Sequence, residues 1–323
     1  MLDQNFEPLH TRIFLYILLT LFLTHTQWTP LQAQGKAGSQ SLLQPDDISG
    51  LLCFWDFQEH SGADRMSWGK YRYALKEMNG PIRRVEDGIF GKYCVDIEWG
   101  QWFRIERKDA PGMDIHGTKQ QLTMVAWVKR ESDRVWQYIA GMWDEGLEKY
   151  RGKASGEGPD APDRQYAMFI NGYWQTHQTD YTRTRAENQV HGYVSPYGGA
   201  TPDHPFAFDY ATGGTKLEKG RWYMIAYTFD GSIIKVFVNG ELDSNENCNP
   251  FPYDGPIHDG GEDGADFTVA LRRVPTFPSY PEGKPDNEAG FDGHLGGLAI
   301  YDRALREEEI NKLYQVSMSG KTP

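Results

Sequence analysis

The run His258-Asp259-Gly260-Gly261-Glu262-Asp263-Gly264-Ala265-Asp266 sets four carboxylates among three glycines. Hard oxygen ligands on a pliant loop are what calcium takes, so Asp259, Glu262, Asp263 and Asp266 form a candidate calcium site. The spacing is not that of an EF-hand loop, and a solvated acidic turn is the alternative reading. Further upstream, His177, Tyr181, His191, Tyr193, Tyr197, His204, Phe206, Phe208 and Tyr210 are interspersed with Arg183, Arg185, Asp203 and Asp209. Aromatic faces stack on the apolar faces of sugar rings while polar neighbours bond the hydroxyls. His191, Tyr193, Tyr197, Phe206 and Tyr210 are therefore candidate glycan contacts. Trp143 and Trp174, at strand ends before loops, join them as secondary candidates. The alternative is equally physical: a loop this long needs a small core of its own, which these rings would fill, and the two tryptophans would cap the main core.

Cleavage chemistry leaves fewer traces. A retaining glycosidase needs two carboxylates about 5 Å apart, and Glu-x-Asp-x-Glu or Glu-x-Asp-x-x-Glu is the form in which sandwich-fold glucanases present them from one strand. No such run occurs; the nearest acidic strings, Asp144-Glu145-Gly146-Leu147-Glu148 and Glu307-Glu308-Glu309, read as a loop and a helix start. Gly-x-Ser-x-Gly and His-Glu-x-x-His are also absent. Binding is favoured over catalysis, and an acid and base drawn from separate loops is the remaining enzymatic route.

The elements that would position these residues are strands. With 35 glycines, 18 prolines and 14% aromatics the chain suits a turn-rich sheet protein. In residues 121–130, Leu122, Met124, Ala126 and Val128 alternate with Thr123, Val125, Trp127 and Lys129, the period of a strand with two largely apolar faces and so a central one. Asp230-Gly231 and Asn239-Gly240 separate three strands over residues 222–242 as two-residue hairpins, and Asn171-Gly172 closes another hairpin onto Tyr173-Trp174. Further strands are expected at residues 51–57, 92–97, 102–106, 136–143, 267–271 and 294–301. Insertions at residues 144–165, 175–219 and 244–266 interrupt them, and loops of that length carry function or stay mobile. One helix is expected, residues 305–314, with Glu307, Glu308 and Glu309 in its first turn, where negative charge suits the dipole. The fold class is all-β: a two-sheet antiparallel jelly-roll sandwich with a short C-terminal helix.

Residues 13–24 form an apolar run behind Arg12, followed by Leu31-Gln32-Ala33, which reads as a secretory signal cleaved near Ala33. The run is too short to span a bilayer comfortably, although a signal anchor is the alternative. The mature chain is expected outside the cytoplasm, secreted, periplasmic or at the cell surface, with no stable membrane insertion after cleavage. A net charge of −12 without a Lys/Arg cluster argues against nucleic acid as a partner. In an oxidising compartment the three cysteines allow one disulfide, Cys53 to Cys94, each within an expected strand; three small buried hydrophobes is the other reading.

One series of segments then carries a family resemblance. Trp55-Asp56-Phe57-Gln58-Glu59 is followed by Phe90-Gly91-Lys92-Tyr93-Cys94-Val95-Asp96 and Leu-Thr-Met-Val-Ala-Trp-Val at residues 122–128. Residues 220–231 (GRWYMIAYTFDG), residues 236–242 (VFVNGEL) and residues 291–305 (FDGHLGGLAIYDRAL) complete it. The series resembles the laminin G-like jelly-roll domains of bacterial exported proteins, in the concanavalin A-like lectin and glucanase superfamily. The resemblance implies a sandwich that binds sugars or proteins, often with calcium, and that keeps company with polysaccharide-degrading systems. In such folds first and last strands neighbour each other, which makes Asp56 and Glu59 with Asp292 a second candidate cation set. The organisation expected is a signal over residues 1–33, a linker over 34–47, the jelly roll over 48–316 and a tail over 317–323. The function expected is recognition of a glycan or an extracellular protein, calcium-assisted, with a polysaccharide hydrolase or lyase, or a protein-adhesion module, as alternatives. Residues 175–210 and the acidic loop are expected to form one site.

Overall fold

The computed structural model describes residues 44–134, 136–146, 161–171, 187–204, 206–272 and 290–321. The expected signal, Trp174 and the Tyr173-Trp174 hairpin arm lie outside the described residues. In chain order the strands are β1 (Leu51–Trp55), β2 (Arg65–Met66), β3 (Ala74–Met78), β4 (Arg83–Val85), β5 (Cys94–Ile97), β6 (Trp102–Ile105), β7 (Leu122–Arg130), β8 (Gln137–Asp144) and β9 (Asp163–Ile170). They continue as β10 (Val190–Val194), β11 (Tyr210–Thr212), β12 (Trp222–Phe229), β13 (Ile233–Val238), β14 (Glu241–Leu242), β15 (Phe251–Pro252), β16 (Phe267–Val269) and β17 (Gly293–Tyr301), followed by the helix α1 (Glu307–Ser317). One sheet runs β14-β13-β12-β7-β17-β5-β4, with β1 also on β17 and β15 on β13; the other runs β11-β10-β9-β8-β16-β6-β3-β2. Every ladder is antiparallel. The all-β two-sheet class expected from the sequence is the one observed.

Strand β7 shows why its pattern was apolar on both sides. Leu122, Met124, Ala126 and Val128 point between the sheets, whereas Val125 and Trp127 point into a second apolar layer outside. Helix α1 covers that outer layer with Ile310 and Leu313, and Trp127 Nε1 donates to Ser317 Oγ at 2.8 Å. Burying a side chain of this size contributes roughly 1.5–3 kcal/mol, so both layers stabilise the sheet. The helix begins two residues later than expected. Arg306 before it has no oxygen to cap the first turn; Glu309 Oε2 instead accepts the Arg306 N–H at 2.8 Å, and Arg303 grips the Glu309 carboxylate at 2.8 and 2.9 Å.

Asn239 and Gly240, both at positive φ, make the two-residue turn that pairs Val238 with Glu241. Asp230-Gly231 does not: Phe229 pairs with Ile234 and the Asp230 N–H bonds Ile233 O at 3.3 Å, so the turn is centred one residue later on Gly231-Ser232, and Asp230 Oδ1 accepts the Ser232 and Ile233 N–H groups. The expected insertion over residues 175–219 contains β10 and β11, and the one over residues 244–266 contains β15. The expected disulfide is absent, since Cys53 and Cys94 are both free thiols. Strands β1 and β5 lie along the same edge of β17, but Cys53 enters the inter-sheet core and Cys94 the outer layer. Their sulfurs stand on opposite faces of one sheet, and burial pushes both thiols up to about 12. They behave as small hydrophobes. Among the described residues no helix is long and apolar enough to cross a membrane.

Candidate functional site

Four of the expected glycan contacts are interior. Trp143, His191, Tyr193 and Tyr210 pack with Tyr138, Phe169 and Phe208 into an aromatic layer on the outer face of the second sheet, and Phe206 packs against its edge. The His191 and Tyr210 rings stack at 4.6 Å, and Trp143 meets Tyr193 edge-on at 5.2 Å. Burial drives His191 down to about 3, which keeps the imidazole neutral. The layer is the loop's own core, the alternative that its composition also allowed. Tyr197 stands apart at 43% exposed. Of the described large apolar side chains only Tyr197 and Trp68, on the opposite outer face beside Phe54, are that open.

Tyr197 sits where three segments meet. Ser195 O accepts the His258 N–H at 2.8 Å, Gly198 O accepts the Arg164 N–H at 3.0 Å, and the Gly117 and Ile257 backbones exchange bonds at 2.8 and 3.1 Å. The tyrosine turn and the acidic loop are thereby joined, with the stretch around His116 on the far side. Beneath them a buried pair does the positioning: Arg107 Nη1 donates to Gln165 Oε1 at 2.6 Å. Arg107 Nη2 and Gln165 Nε2 both donate to Asp114 Oδ1, at 2.6 and 2.9 Å. His116 stands between two carboxylates, its Nε2 3.8 Å from Asp114 Oδ2 and its Nδ1 3.4 Å from Asp259 Oδ2. The Gly261 N–H bond to Oδ1 is the first influence lowering the Asp259 pKa; His116, Arg107 and His258 add to it against a small burial effect.

The four carboxylates of the acidic loop do not assemble around one point. Asp266 is committed, its Oδ2 to Arg104 Nε at 2.6 Å and its Oδ1 to the Arg107 N–H at 2.8 Å. Glu262 and Asp263 are exposed on the turn, and Asp259 faces His116. Asp56, Glu59 and Asp292 do not come together either: Asp292 lies 3.6 Å from Arg134, Asp56 accepts the Gln58 N–H, and Glu59 accepts the Met66 N–H. Among the described residues, Asp114, His116 and Asp259 form the one group of three that could hold a metal ion.

Asp114 and His116 also line a cleft of about 350 Å³ with Tyr71, Gly112, Gln120 and Gln121. Tyr71 stacks on Tyr73 at 5.3 Å, and the Tyr73 hydroxyl accepts the Gly112 N–H at 2.9 Å. Residue 112 must be glycine, because a Cβ there would lie 2.2 Å from the Tyr71 ring. Tyr71, Asp114, His116 and Gln165 were not singled out from the sequence. The one local signal was Asp114-Ile115-His116, alternate positions that put two polar groups on the same side of an extended segment.

A laminin G-type family model, described as the concanavalin A-like lectin/glucanases superfamily, matches residues 109–311, more than half of the 323-residue chain. The chain belongs to this family. Three solved structures are similar to the chain at low identity. Domain 4 of AbnA, a GH43 extracellular arabinanase from Geobacillus stearothermophilus in complex with arabinotriose, aligns over 82% of this chain and 98% of its own, with 15% identity and a TM-score of 0.47. Trypanosoma rangeli sialidase in complex with sialic acid covers 84% of this chain and 34% of its own, with 15% identity and a TM-score of 0.45. The native heptameric SAP-like pentraxin from Limulus polyphemus covers 60% and 69%, with 15% identity and a TM-score of 0.35. No curated protein matches the sequence.

Proposed function

We propose that this chain is an exported carbohydrate-recognition module that takes a short stretch of glycan in the cleft lined by Tyr71, Asp114, His116 and Gln120, with Tyr197 as a second contact beyond the His258-Asp259 rim. The cleft carries the reading: about 350 Å³ is at the small end of ligand pockets, and it combines an aromatic face with convergent polar groups. Sugar recognition needs both, a ring face for the C–H side of a pyranose or furanose and fixed donors and acceptors for its hydroxyls. Asp114, held by Arg107 and Gln165, is such a fixed acceptor. Membership of a family of lectins and glucanases agrees with this choice, and the sugars bound by the arabinanase domain and the sialidase are of the class proposed.

Calcium was the cation expected to assist. With Asp266 engaged by Arg104 and Arg107, and Asp259 turned to His116 away from the exposed Glu262 and Asp263, the acidic loop presents no converged set of the six to eight oxygens that ion takes. Calcium assistance therefore stands as a secondary proposal, removed if glycan binding is indifferent to a calcium-selective chelator. The module itself is tested on a glycan array with the full-length protein, Tyr71→Ala and Tyr197→Ala. Binding to a defined set of oligosaccharides that falls at least about tenfold in Tyr71→Ala, or about 1.4 kcal/mol, with melting unchanged, supports the reading. No glycan bound, or binding indifferent to both substitutions, removes it; depolymerisation of a bound polysaccharide moves it to the enzymatic alternative.

A further inference from the structure

The way Asp114, His116 and Asp259 are held distinguishes them from an ordinary acidic surface. Each carboxylate spends one oxygen on the protein: Asp114 Oδ1 on Arg107 and Gln165, Asp259 Oδ1 on the Gly261 N–H. The second oxygen of each is turned to the imidazole, at 3.8 and 3.4 Å. One ligand atom from each residue lies within 4.8 Å of the other two. Arg107 and Gln165 are buried, so the orienting layer is part of the core, whereas His116 and Asp259 remain reachable from solvent.

We propose that Asp114, His116 and Asp259 bind a divalent transition-metal ion of the zinc type in preference to calcium. Donor chemistry decides the class. Imidazole suits zinc, nickel, copper and iron, whereas calcium takes hard oxygens in larger number. Zinc bonds of about 2.0–2.2 Å place neighbouring ligands of a tetrahedral ion about 3.4 Å apart. The His116 Nδ1 to Asp259 Oδ2 separation already has that value; Asp114 Oδ2 stands against the other ring nitrogen, so Asp114 has to close on the shared ion from within the 4.8 Å that bounds the set. Asp114 and His116 line the cleft, so the cleft is the source of the water or ligand oxygen that would complete a three-ligand centre. Carboxylates hydrogen-bonded from behind are the usual support of such centres. Arg107 is the opposing influence: its guanidinium lies 2.6 Å from Asp114 Oδ1 and 4.0 Å from Asp259 Oδ1, so it orients one ligand while repelling the cation. Affinity is therefore expected below that of a structural zinc site. In the competing state no metal enters, and His116 simply stands between the two carboxylates.

The inference rests on the donor set and not on the glycan reading, and its test contains no glycan, so either can fail alone. Full-length protein, stripped with chelator, is titrated with zinc chloride in competition with a chromophoric chelator, and separately with calcium chloride. One saturable zinc equivalent is expected in the wild type, none in His116→Ala, and a loss of at least about tenfold in Asp259→Asn. Calcium is expected to bind at least about a hundredfold more weakly than zinc. Cobalt(II) gives a second readout: a visible absorption band stronger than that of aqueous cobalt is expected in the wild type and absent in His116→Ala. Absence of saturable zinc, zinc binding that survives His116→Ala, or calcium binding of equal strength overturns the assignment.

Discussion

Gly198→Ala, set against Gly261→Ala, tests the junction on which the site depends. Both glycines have positive φ, +73° and +66°, so alanine at either position carries the left-handed cost of about 1 kcal/mol. Their surroundings differ. A Cβ at Gly261 meets nothing within 4 Å, whereas one at Gly198 would lie 2.4 Å from Nε2 of His258. The ring would have to leave Asp163, whose Oδ1 is 3.3 Å from Nε2. Overpacking of this kind adds about 1–3 kcal/mol. Equilibrium urea unfolding should therefore show Gly261→Ala destabilised by about 1 kcal/mol and Gly198→Ala by about 2–4 kcal/mol. Gly198→Ala should also weaken whatever binds at the Tyr197 rim. Equal costs for the two substitutions would refute the packing of the tyrosine turn on the acidic loop.

Phe169→Ala should cost about 3–5 kcal/mol by thermal or urea unfolding, because Phe169 touches Tyr138, Trp143 and Tyr193 in the outer aromatic layer; a cost under about 1 kcal/mol would return that layer to the role of an exposed platform. A thiol reagent should find three cysteines in denaturant without reductant and none in the native protein, since all three are buried and Cys53 and Cys94 are not bridged; a count of one would restore the disulfide. Burial would raise Glu145, yet Arg164 and Arg272 outweigh it and hold the carboxyl at about 2, below its ordinary 4.5. A folded-state pKa below the unfolded one adds stability above the unfolded value and loses it as pH falls to the folded one. Glu145→Gln should thus be less stable than wild type at pH 7, by up to ~3 kcal/mol, and the gap should close between about pH 4.5 and 2. A gap independent of pH would remove the ion-pair account.

Much of the sandwich was readable from residues alone because its signals are local. Strand β7 alternates within itself, and Asn239-Gly240 announces its own turn. Strands β10 and β11 were missed for a definite reason. Their rings cover a sheet face with residues from the same stretch, so a half-sheet and its lid share one aromatic composition that reads as a single loop. The disulfide failed on facing, a property of pleat and register that strand membership does not convey: Cys53 and Cys94 are both in strands beside β17, yet on opposite sides. The site was half legible. Tyr197 and Asp259 were chosen for their chemistry, but Asp114, His116 and Tyr71 acquire theirs only when the turn before β7, the strand-poor stretch after β15 and the segment after β1 are brought to one edge. Asp266 shows the converse, a carboxylate with a ligand's chemistry whose oxygens fold against Arg104 and Arg107.

The Tyr71-Asp114-His116 cleft is proposed to receive a sugar. The most direct measurement is a crystal structure of the full-length protein with the oligosaccharide preferred on the array. A sugar ring against the Tyr71 face, with a hydroxyl bonded to Asp114 or Gln120, is the predicted result. A sugar seated instead over Trp68 on the opposite face, with the cleft holding only solvent, would contradict it.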